Sequence, residues 1–244
     1  LFSKDVKKII KFVSGKDIKA FPSCTMKFHP VVKKLKKLLE SQPIGKILMI
    51  EHHSGFFLPY WHPWEDYKTF FASKKETGGA KELFPIDLMW ITSLFTDVKS
   101  VHARVGKISN LDVNIDDFYT ATFELENGII CNYTTDVFSI PPFKQTKIFG
   151  ENGQIICNFH QGIIEIKKDK TCKIFNVKLG EVAKGYKGTT PPETLYEDEL
   201  QSFFDALKGN KYPLTLEDEL KLLKILDAVE ISSKRGRRIN LSIN

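Results

Sequence analysis

Seven short segments with strand-like patterns follow one another between positions 98 and 178, and they constrain the fold more than any other feature. They are Val98–Ile108, Phe118–Leu125, Ile129–Phe138, Gln145–Phe149, Gln154–Asn158, Ile163–Lys167 and Lys173–Val177. Two of the connections contain Asn127-Gly128 and Asn152-Gly153, which are typical of two-residue hairpin turns with positive φ at both central residues. The middle of the chain is therefore predicted to be one antiparallel sheet.

Helices and two further strands are predicted on either side of this sheet. The apolar spacing before it predicts helices over 4–14, Pro30–Glu40 and Ile86–Phe95, and short strands over Ile18–Met26 and Ile47–His52. We place Pro85 in the first turn of the third helix. Two capping boxes, Thr194 with Glu197 and Thr215 with Asp218, predict the starts of two closing helices.

Composition excludes several classes of protein. The 244 residues carry a net charge of +6, and much of the excess lysine lies on predicted helix surfaces, so we expect no nucleic-acid partner. No segment approaches the roughly 20 apolar residues of a membrane span, and Leu1–Asp5 does not resemble a signal peptide. The four cysteines form no C-x-x-C pair. These features predict a cytoplasmic protein with reduced thiols and no membrane partner.

Aromatic and polar residues are concentrated at positions 60–67, which read Tyr-Trp-His-Pro-Trp-Glu-Asp-Tyr. Trp61, Trp64 and Tyr67 could stack on a sugar ring or a nucleotide base, and His62 could hydrogen-bond to a hydroxyl or phosphate. The alternative is that these side chains anchor the loop to the domain. The His52-His53 pair and His62 lack the spacing of a metal site, so none is predicted.

Four segments, taken in order, carry a family pattern. They are Met26–Pro30 with Ile44–Ile47, Trp61–Tyr67 with Gly78-Gly79, Phe149–Gly153, and Asp218–Leu241. Together they resemble the oxidoreductase family of glucose–fructose oxidoreductase and inositol dehydrogenase (Gfo/Idh/MocA). The second segment is similar to a loop and glycine turn of members encoded with surface-polysaccharide genes.

The resemblance implies an α/β (α+β) fold with a large, mostly antiparallel open sheet and helices on one face. Residues 1–26 would be a remnant of the Rossmann domain, its last helix and strand. Residues 27–244 would be the C-terminal substrate-binding and oligomerisation domain, which implies a homo-oligomer formed through the sheet face. The strand pattern around Phe118–Leu125, with apolar residues on both sides, favours the same surface.

The activity implied by the resemblance is hydride transfer between NAD or NADP and a CH–OH group of a sugar or nucleotide-sugar, in surface-polysaccharide or glycan biosynthesis. The chain departs from the family pattern because it has no G-x-G-x-x-G after a strand. We therefore expect the chain alone to bind neither NAD nor NADP. The alternative is a non-catalytic sugar-binding or assembly module, or an inactive truncated product.

A second departure concerns the acid/base residue. The family often has a His on the helix after the glycines, but no His occurs between Gly78 and Phe95. Asp87 is predicted to act instead, if burial raises its pKa towards neutral. The alternative is an ordinary acid in a first helical turn.

The remaining predicted site residues bind substrate. They are Lys27, Trp61, His62, Trp64, Tyr67 and Glu82. Lys27 stands where the family commonly has Arg, near the junction of cofactor and substrate. Gly78-Gly79 is interpreted as a turn that lets two backbone segments approach closely.

Overall fold

The computed structural model describes residues 2–182, 184–186 and 192–241. Within them the helices are α1 (Ser3–Val13), α2 (Pro30–Leu39), α3 (Leu58–Trp61), α4 (Ala80–Phe95), α5 (Thr194–Leu207) and α6 (Leu216–Arg235). The strands are β1 (Ile47–Phe57), β2 (Val98–Gly106), β3 (Phe118–Leu125), β4 (Ile130–Asp136), β5 (Phe138–Gly150), β6 (Gly153–Asn158), β7 (Ile163–Lys168), β8 (Thr171–Asn176) and β9 (Ile239–Asn240). None of the described helices is long and apolar enough to cross a membrane.

The strands form one open sheet in the order β8-β7-β6-β5-β1-β4-β3-β2-β9. Strands β1 and β4 run parallel, and every other neighbouring pair is antiparallel. The predicted sheet over 98–178 is confirmed, with one difference. Strand β1 lies between β4 and β5, so that Met49 faces Ile130 on one side and Phe149 on the other.

The core lies on one face of this sheet, beneath α2, α4 and α6. On β3, Tyr119, Ala121, Phe123 and Leu125 are all buried in it. The intervening positions of β3 are partly buried or exposed, as the period of two requires. The expectation of apolar residues on both sides of β3 is therefore wrong, because Phe118 is followed on its face by Thr, Thr and Glu.

Both predicted hairpins form, but their turns differ from the prediction. The N–H of Gly128 donates to Leu125 O, and the N–H of Leu125 donates to Ile129 O, so this loop has three residues. Gly128 has φ 84°, while Asn127 is not in the left-handed region. Glycine at the last position of a three-residue loop supplies the left-handed residue that this hairpin class needs. In the other hairpin, Gly150 pairs with Gly153 and encloses Glu151 and Asn152.

Two predictions before the sheet are wrong. The segment Ile18–Met26 forms no strand, and it ends in a short 3-10 turn at Thr25–Phe28. Its backbone is held by a side chain instead of by a neighbouring strand, since the N–H of Cys24 donates to Glu199 of α5 at 2.5 Å. Helix α4 begins at Ala80, directly after the glycine pair, and continues through Pro85. A proline in a helix interior removes one helical hydrogen bond, which is why the sequence favoured a later start.

Of the two predicted capping boxes, one forms. The Thr215 hydroxyl accepts a hydrogen bond from the N–H of Asp218, whose carboxylate accepts one from the N–H of Thr215. The box at Thr194 does not form, because Thr194 donates its hydroxyl to Leu179 O, 3.2 Å away, and Glu193 is the N-cap.

Candidate functional site

A cavity of about 690 Å³ lies between the first half of α4, the end of β1, the loop after α3 and β5. Its volume is within the range of small-molecule sites. Five aromatic side chains border it, Phe56, Trp61, Phe71, Tyr186 and Tyr196. Ionisable side chains also reach it, namely His62, Glu82, Asp87, Lys144 and Glu219.

The aromatic wall of the cavity is held by packing between β1, α3 and the loop that follows α3. Trp61 lies at the end of α3, where its ring stacks on Phe56 at a centroid distance of 6.0 Å and meets the ring of Phe70 edge-on at 5.8 Å. His62 follows directly and stacks on Trp64 at 4.8 Å. Its Nδ1 lies 2.6 Å from Glu65 Oε1, so the ring is fixed from both sides.

A buried ion pair connects α4 to β5 at this cavity. Asp87 is 2% exposed, and Lys144 Nζ lies 2.7 Å from its Oδ2 and 2.9 Å from its Oδ1. The indole N–H of Trp90 also donates to Oδ1, at 3.0 Å. Burial by itself would raise the pKa of Asp87, but Lys144 and His52 outweigh it, and the pKa is lowered. The expected rise towards neutral therefore does not occur.

His52 completes this polar centre from β1. Its Nε2 lies 3.5 Å from Asp87 Oδ2, and its Nδ1 lies 2.8 Å from the Thr146 hydroxyl. Burial lowers the pKa of His52 more than Asp87 raises it, so the ring is neutral at physiological pH. The pair of Asp87 and Lys144 thus has a neutral neighbour and balances its own charge.

Glu82 lies in the first turn of α4 and also borders the cavity. Its Oε2 is buried, and none of the described residues donates a hydrogen bond to it. Burial raises the pKa of Glu82 to about 7. This carboxyl group can therefore change its charge near neutral pH, unlike Asp87.

The position of Glu82 depends on the glycine turn that precedes α4. A Cβ on Gly78 would lie 2.0 Å from the backbone oxygen of Ala72, and Gly79 has φ 65°. The predicted close approach of backbone at Gly78-Gly79 is confirmed. Neither position accepts a larger residue without strain.

The sequence matches the model of the GFO/IDH/MocA C-terminal domain over residues 32–156, which is more than half of the chain. The chain belongs to the Gfo/Idh/MocA family. No curated protein sequence matches it.

Solved structures show the same fold at low sequence identity. An oxidoreductase from Agrobacterium radiobacter, solved with NAD+, L-tartaric acid and magnesium, superposes with a TM-score of 0.82 at 18% identity, over 98% of this chain and 70% of that one. Levoglucosan dehydrogenase, solved with NADH and levoglucosan, superposes with a TM-score of 0.78 at 17% identity, over 98% of this chain and 70% of that one. An NAD-binding oxidoreductase from Klebsiella pneumoniae superposes with a TM-score of 0.79 at 14% identity, over 100% of this chain and 72% of that one.

Four of the predicted site residues of this Gfo/Idh/MocA chain border the one cavity, Trp61, His62, Glu82 and Asp87. The other three lie outside its lining. Trp64 packs behind His62 and is 56% exposed. Tyr67 belongs to a small apolar cluster, and its hydroxyl accepts a hydrogen bond from the N–H of Asp112. Lys27 donates to Pro213 O and borders a separate, smaller cavity. The role of Tyr67 as a loop anchor is thus the one that its contacts favour.

Sequence reasoning missed Lys144. The signal was weak but present, because Lys144 shares the inward phase of β5 with Thr146 and Ile148, both buried. A lysine at an inward strand position needs a buried partner. The partner, Asp87, lies on α4 and could not be assigned from the pattern of β5.

The glycine turn does not fit the pyrophosphate of a nicotinamide dinucleotide. The space at Gly78 is filled by the chain's own backbone, and the N–H groups of Gly79 and Ala80 already donate to Ala72 O and Asp116 O. A 3-10 turn precedes the glycines where a strand would be required. Across the described residues, no group of three His, Cys, Asp or Glu side chains could hold a metal ion.

Proposed function

We propose that this chain binds the sugar in an NAD- or NADP-dependent oxidoreductase that acts on a CH–OH group. The observation that carries the proposal is the cavity itself, where the aromatic wall at Trp61 meets the ion pair of Asp87 and Lys144. Sugars present both apolar C–H faces and hydroxyl groups, and such ligands are bound by aromatic surfaces with a few fixed polar groups.

In this proposal Lys144 contacts the substrate, and Asp87 acts as a positioning residue. Both oxygens of Asp87 receive hydrogen bonds from Lys144 or Trp90, so the carboxylate has little capacity left for a ligand. Of the three donors of the Lys144 ammonium, two go to Asp87, and the third lies 3.9 Å from Met26 Sδ, a weak acceptor at the cavity that a hydroxyl oxygen can replace. A donor that is held in place can recognise a hydroxyl oxygen at low entropic cost.

The family and its structural relatives support this reading. Levoglucosan dehydrogenase has been solved with levoglucosan and with L-sorbose, both in the presence of NADH. The finer assignment, a sugar or nucleotide-sugar used in polysaccharide or glycan biosynthesis in the cytoplasm, rests on the resemblance of Trp61–Tyr67 and Gly78-Gly79. The described residues provide sugar recognition, and no step of the reaction is assigned to a cofactor site among them.

Binding of monosaccharides to residues 1–244 tests the proposal. The panel is D-glucose, D-mannose, D-galactose, levoglucosan and UDP-glucose, followed by tryptophan fluorescence and calorimetry. At least one sugar should bind, and Trp61→Ala should weaken it by about tenfold, the order expected for losing an aromatic contact of about 1.4 kcal/mol. The control is Phe12→Ala, which removes an exposed aromatic ring on α1, outside the lining, and should change affinity by less than about threefold.

Titration with NADH and NADPH is a separate test of the cofactor site. Micromolar affinity of either nucleotide for residues 1–244 would show that the dinucleotide site had been misassigned. Absence of sugar binding at tens of millimolar would refute the proposed function.

A further inference from the structure

Glu82 and Asp87 lie on the same helix and border the same cavity, yet their carboxyl groups differ in how many hydrogen bonds they accept. Asp87 is saturated by Lys144 and Trp90. Glu82 Oε2 is buried and, within the described part of the chain, accepts no hydrogen bond. A buried acceptor without a donor costs free energy. Glu82 borders the cavity, so a turn of its carboxyl group about the soft terminal torsion would bring this oxygen to a ligand hydroxyl, which would supply the donor.

We propose that the ionised carboxylate of Glu82 receives a hydroxyl of the bound sugar, and that sugar binding therefore releases the proton of Glu82. The inference rests on the sugar-binding function proposed above. It assigns Glu82 a direct role in substrate recognition and makes the affinity for sugar dependent on pH.

The surroundings of Glu82 explain why its charge responds to a ligand. Burial is the cause of its raised pKa, so no cation holds it ionised. The basic groups that border the cavity, and the lysine beside Glu82 in the sequence, are paired with other acids. Lys144 is paired with Asp87, and His62 is bonded to Glu65. Lys81, next to Glu82 in the sequence, is paired with Glu230.

Two tyrosines and one further acid complete the set of ionisable groups that face this space, Tyr186, Tyr196 and Glu219. Burial also raises the pKa of Glu219, which projects from α6. Glu219 therefore provides the matched control, because it is an acid of the same length in the same cavity. A hydroxyl ligand that bonds to Glu82 replaces lost hydration and favours its ionised form.

The test is calorimetric titration of residues 1–244 with the tightest binder of the sugar panel, in two buffers with different ionisation enthalpies. At pH 6 the wild type should release nearly one proton per sugar bound, and at pH 8 almost none. Its affinity should rise about tenfold between these values, because the binding-competent, ionised fraction rises by that factor around a pKa of about 7. Glu82→Gln should abolish both the release and the rise, while Glu219→Gln should keep them.

The outcomes distinguish a failure of the Glu82 assignment from a failure of the proposed sugar-binding function. If no sugar binds to the wild type, the proposed function fails. If sugar binds without proton release, or if Glu82→Gln still releases a proton, the assignment of Glu82 is overturned. Should Glu82→Gln fold poorly by circular dichroism, the 13Cδ resonance of Glu82 in the wild type decides the matter. It should titrate near pH 7 and move to the ionised position when sugar is added at pH 6, and an unchanged resonance would reject the proposal.

Discussion

Lys144 Nζ lies 2.7 Å from Oδ2 of Asp87, and this contact connects the centre of strand β5 to helix α4 inside the core. The two side chains are 9% and 2% exposed. A buried ion pair of this kind adds little stability compared with well-packed apolar residues, but removing one partner leaves an uncompensated charge. The pair is therefore expected to be costly to break and to serve the geometry of the cavity.

We predict that Lys144→Met lowers the free energy of unfolding by about 3 kcal/mol, because it leaves the Asp87 carboxylate buried without its cation. The double variant Asp87→Leu, Lys144→Met should recover part of this loss. Urea denaturation measures both. The control is Lys33→Met, which breaks the exposed pair with Asp198 and should change stability by less than about 1 kcal/mol. Equal effects of the two single substitutions would show that burial of the pair is not what matters.

The same pair sets an acid limit on stability. The folded protein holds the pKa of Asp87 below its ordinary value of 3.8, so the contribution of this carboxylate is present above about pH 4 and is lost as the pH falls further. In Asp87→Asn this part of the acid dependence should be missing, as followed by urea denaturation between pH 2.5 and pH 5. An acid dependence identical to that of the wild type would contradict the assignment.

Glu82 should affect stability in the opposite sense. Its pKa is near 4.5 in the unfolded chain and about 7 in the folded one, so the folded state binds more protons between these values. Stability therefore decreases as pH rises from 4.5 to 7 and is level above. Between pH 5 and pH 8, the free energy of unfolding of Glu82→Gln should rise by on the order of 2 kcal/mol relative to that of the wild type. This figure is reduced from the full effect of the pKa difference because Glu82 is partly solvated. The control is Glu126→Gln, which removes an exposed carboxyl group in the loop between β3 and β4.

A methyl group at Gly78 should disrupt the start of α4. Its Cβ would meet the backbone oxygen of Ala72, which cannot rotate away, so we expect Gly78→Ala to cost about 2 kcal/mol or more and to weaken sugar binding through Glu82. Gly106→Ala is the control, because a Cβ there meets nothing within 4 Å. Thermal unfolding and the sugar titration report the two effects. A Gly78→Ala protein as stable as Gly106→Ala would refute the close packing.

We also predict self-association through the face of the sheet opposite α4, which is the surface that the family resemblance implies. Light scattering at tens of micromolar, a concentration above the dissociation constant of an ordinary stable dimer, should give at least a dimer. Thr122→Arg with Asn132→Arg, two exposed neighbours on this face, should shift the protein to a monomer. Ser41→Arg, exposed after α2, is the control and should leave the oligomer unchanged. A monomeric wild type would contradict the prediction.

Local signals predicted the local structure well. The bounds of β3 agree with the prediction, because a strict period of two runs from Phe118 to Leu125. The capping box at Thr215 also formed, whereas the equally local box at Thr194 did not, because a tertiary acceptor, Leu179 O, takes the Thr194 hydroxyl. Strand β1 was predicted to end at His52 but continues to Phe57, where His, Ser and Gly give little strand signal. Pairing on both sides overrides that weak propensity.

The site was less predictable because it is assembled from distant elements. Trp61 and His62 could be selected by composition alone, but the burial that distinguishes Glu82 from Asp87 depends on what packs against each. Lys144 lies 57 residues from its partner, and no sequence spacing connects them. The sequence thus indicated the residue types of the cavity, and the topology decided which of them meet and which are charged.

The central place of β1 has a consequence for how the protein is made. Ile50 pairs with Cys131 on one side and with Ile148 on the other, so β1 leaves the ribosome long before either of its partners. At about 5–20 residues per second, the roughly 80–100 residues that separate them take on the order of 4–20 s to synthesise. During that time the nascent β1 has two unpaired edges, while the hairpin of β2 and β3 can already close. The centre of the finished sheet is therefore expected to form after the β2–β3 hairpin, and chaperones that bind exposed strands would act on β1 in the interval.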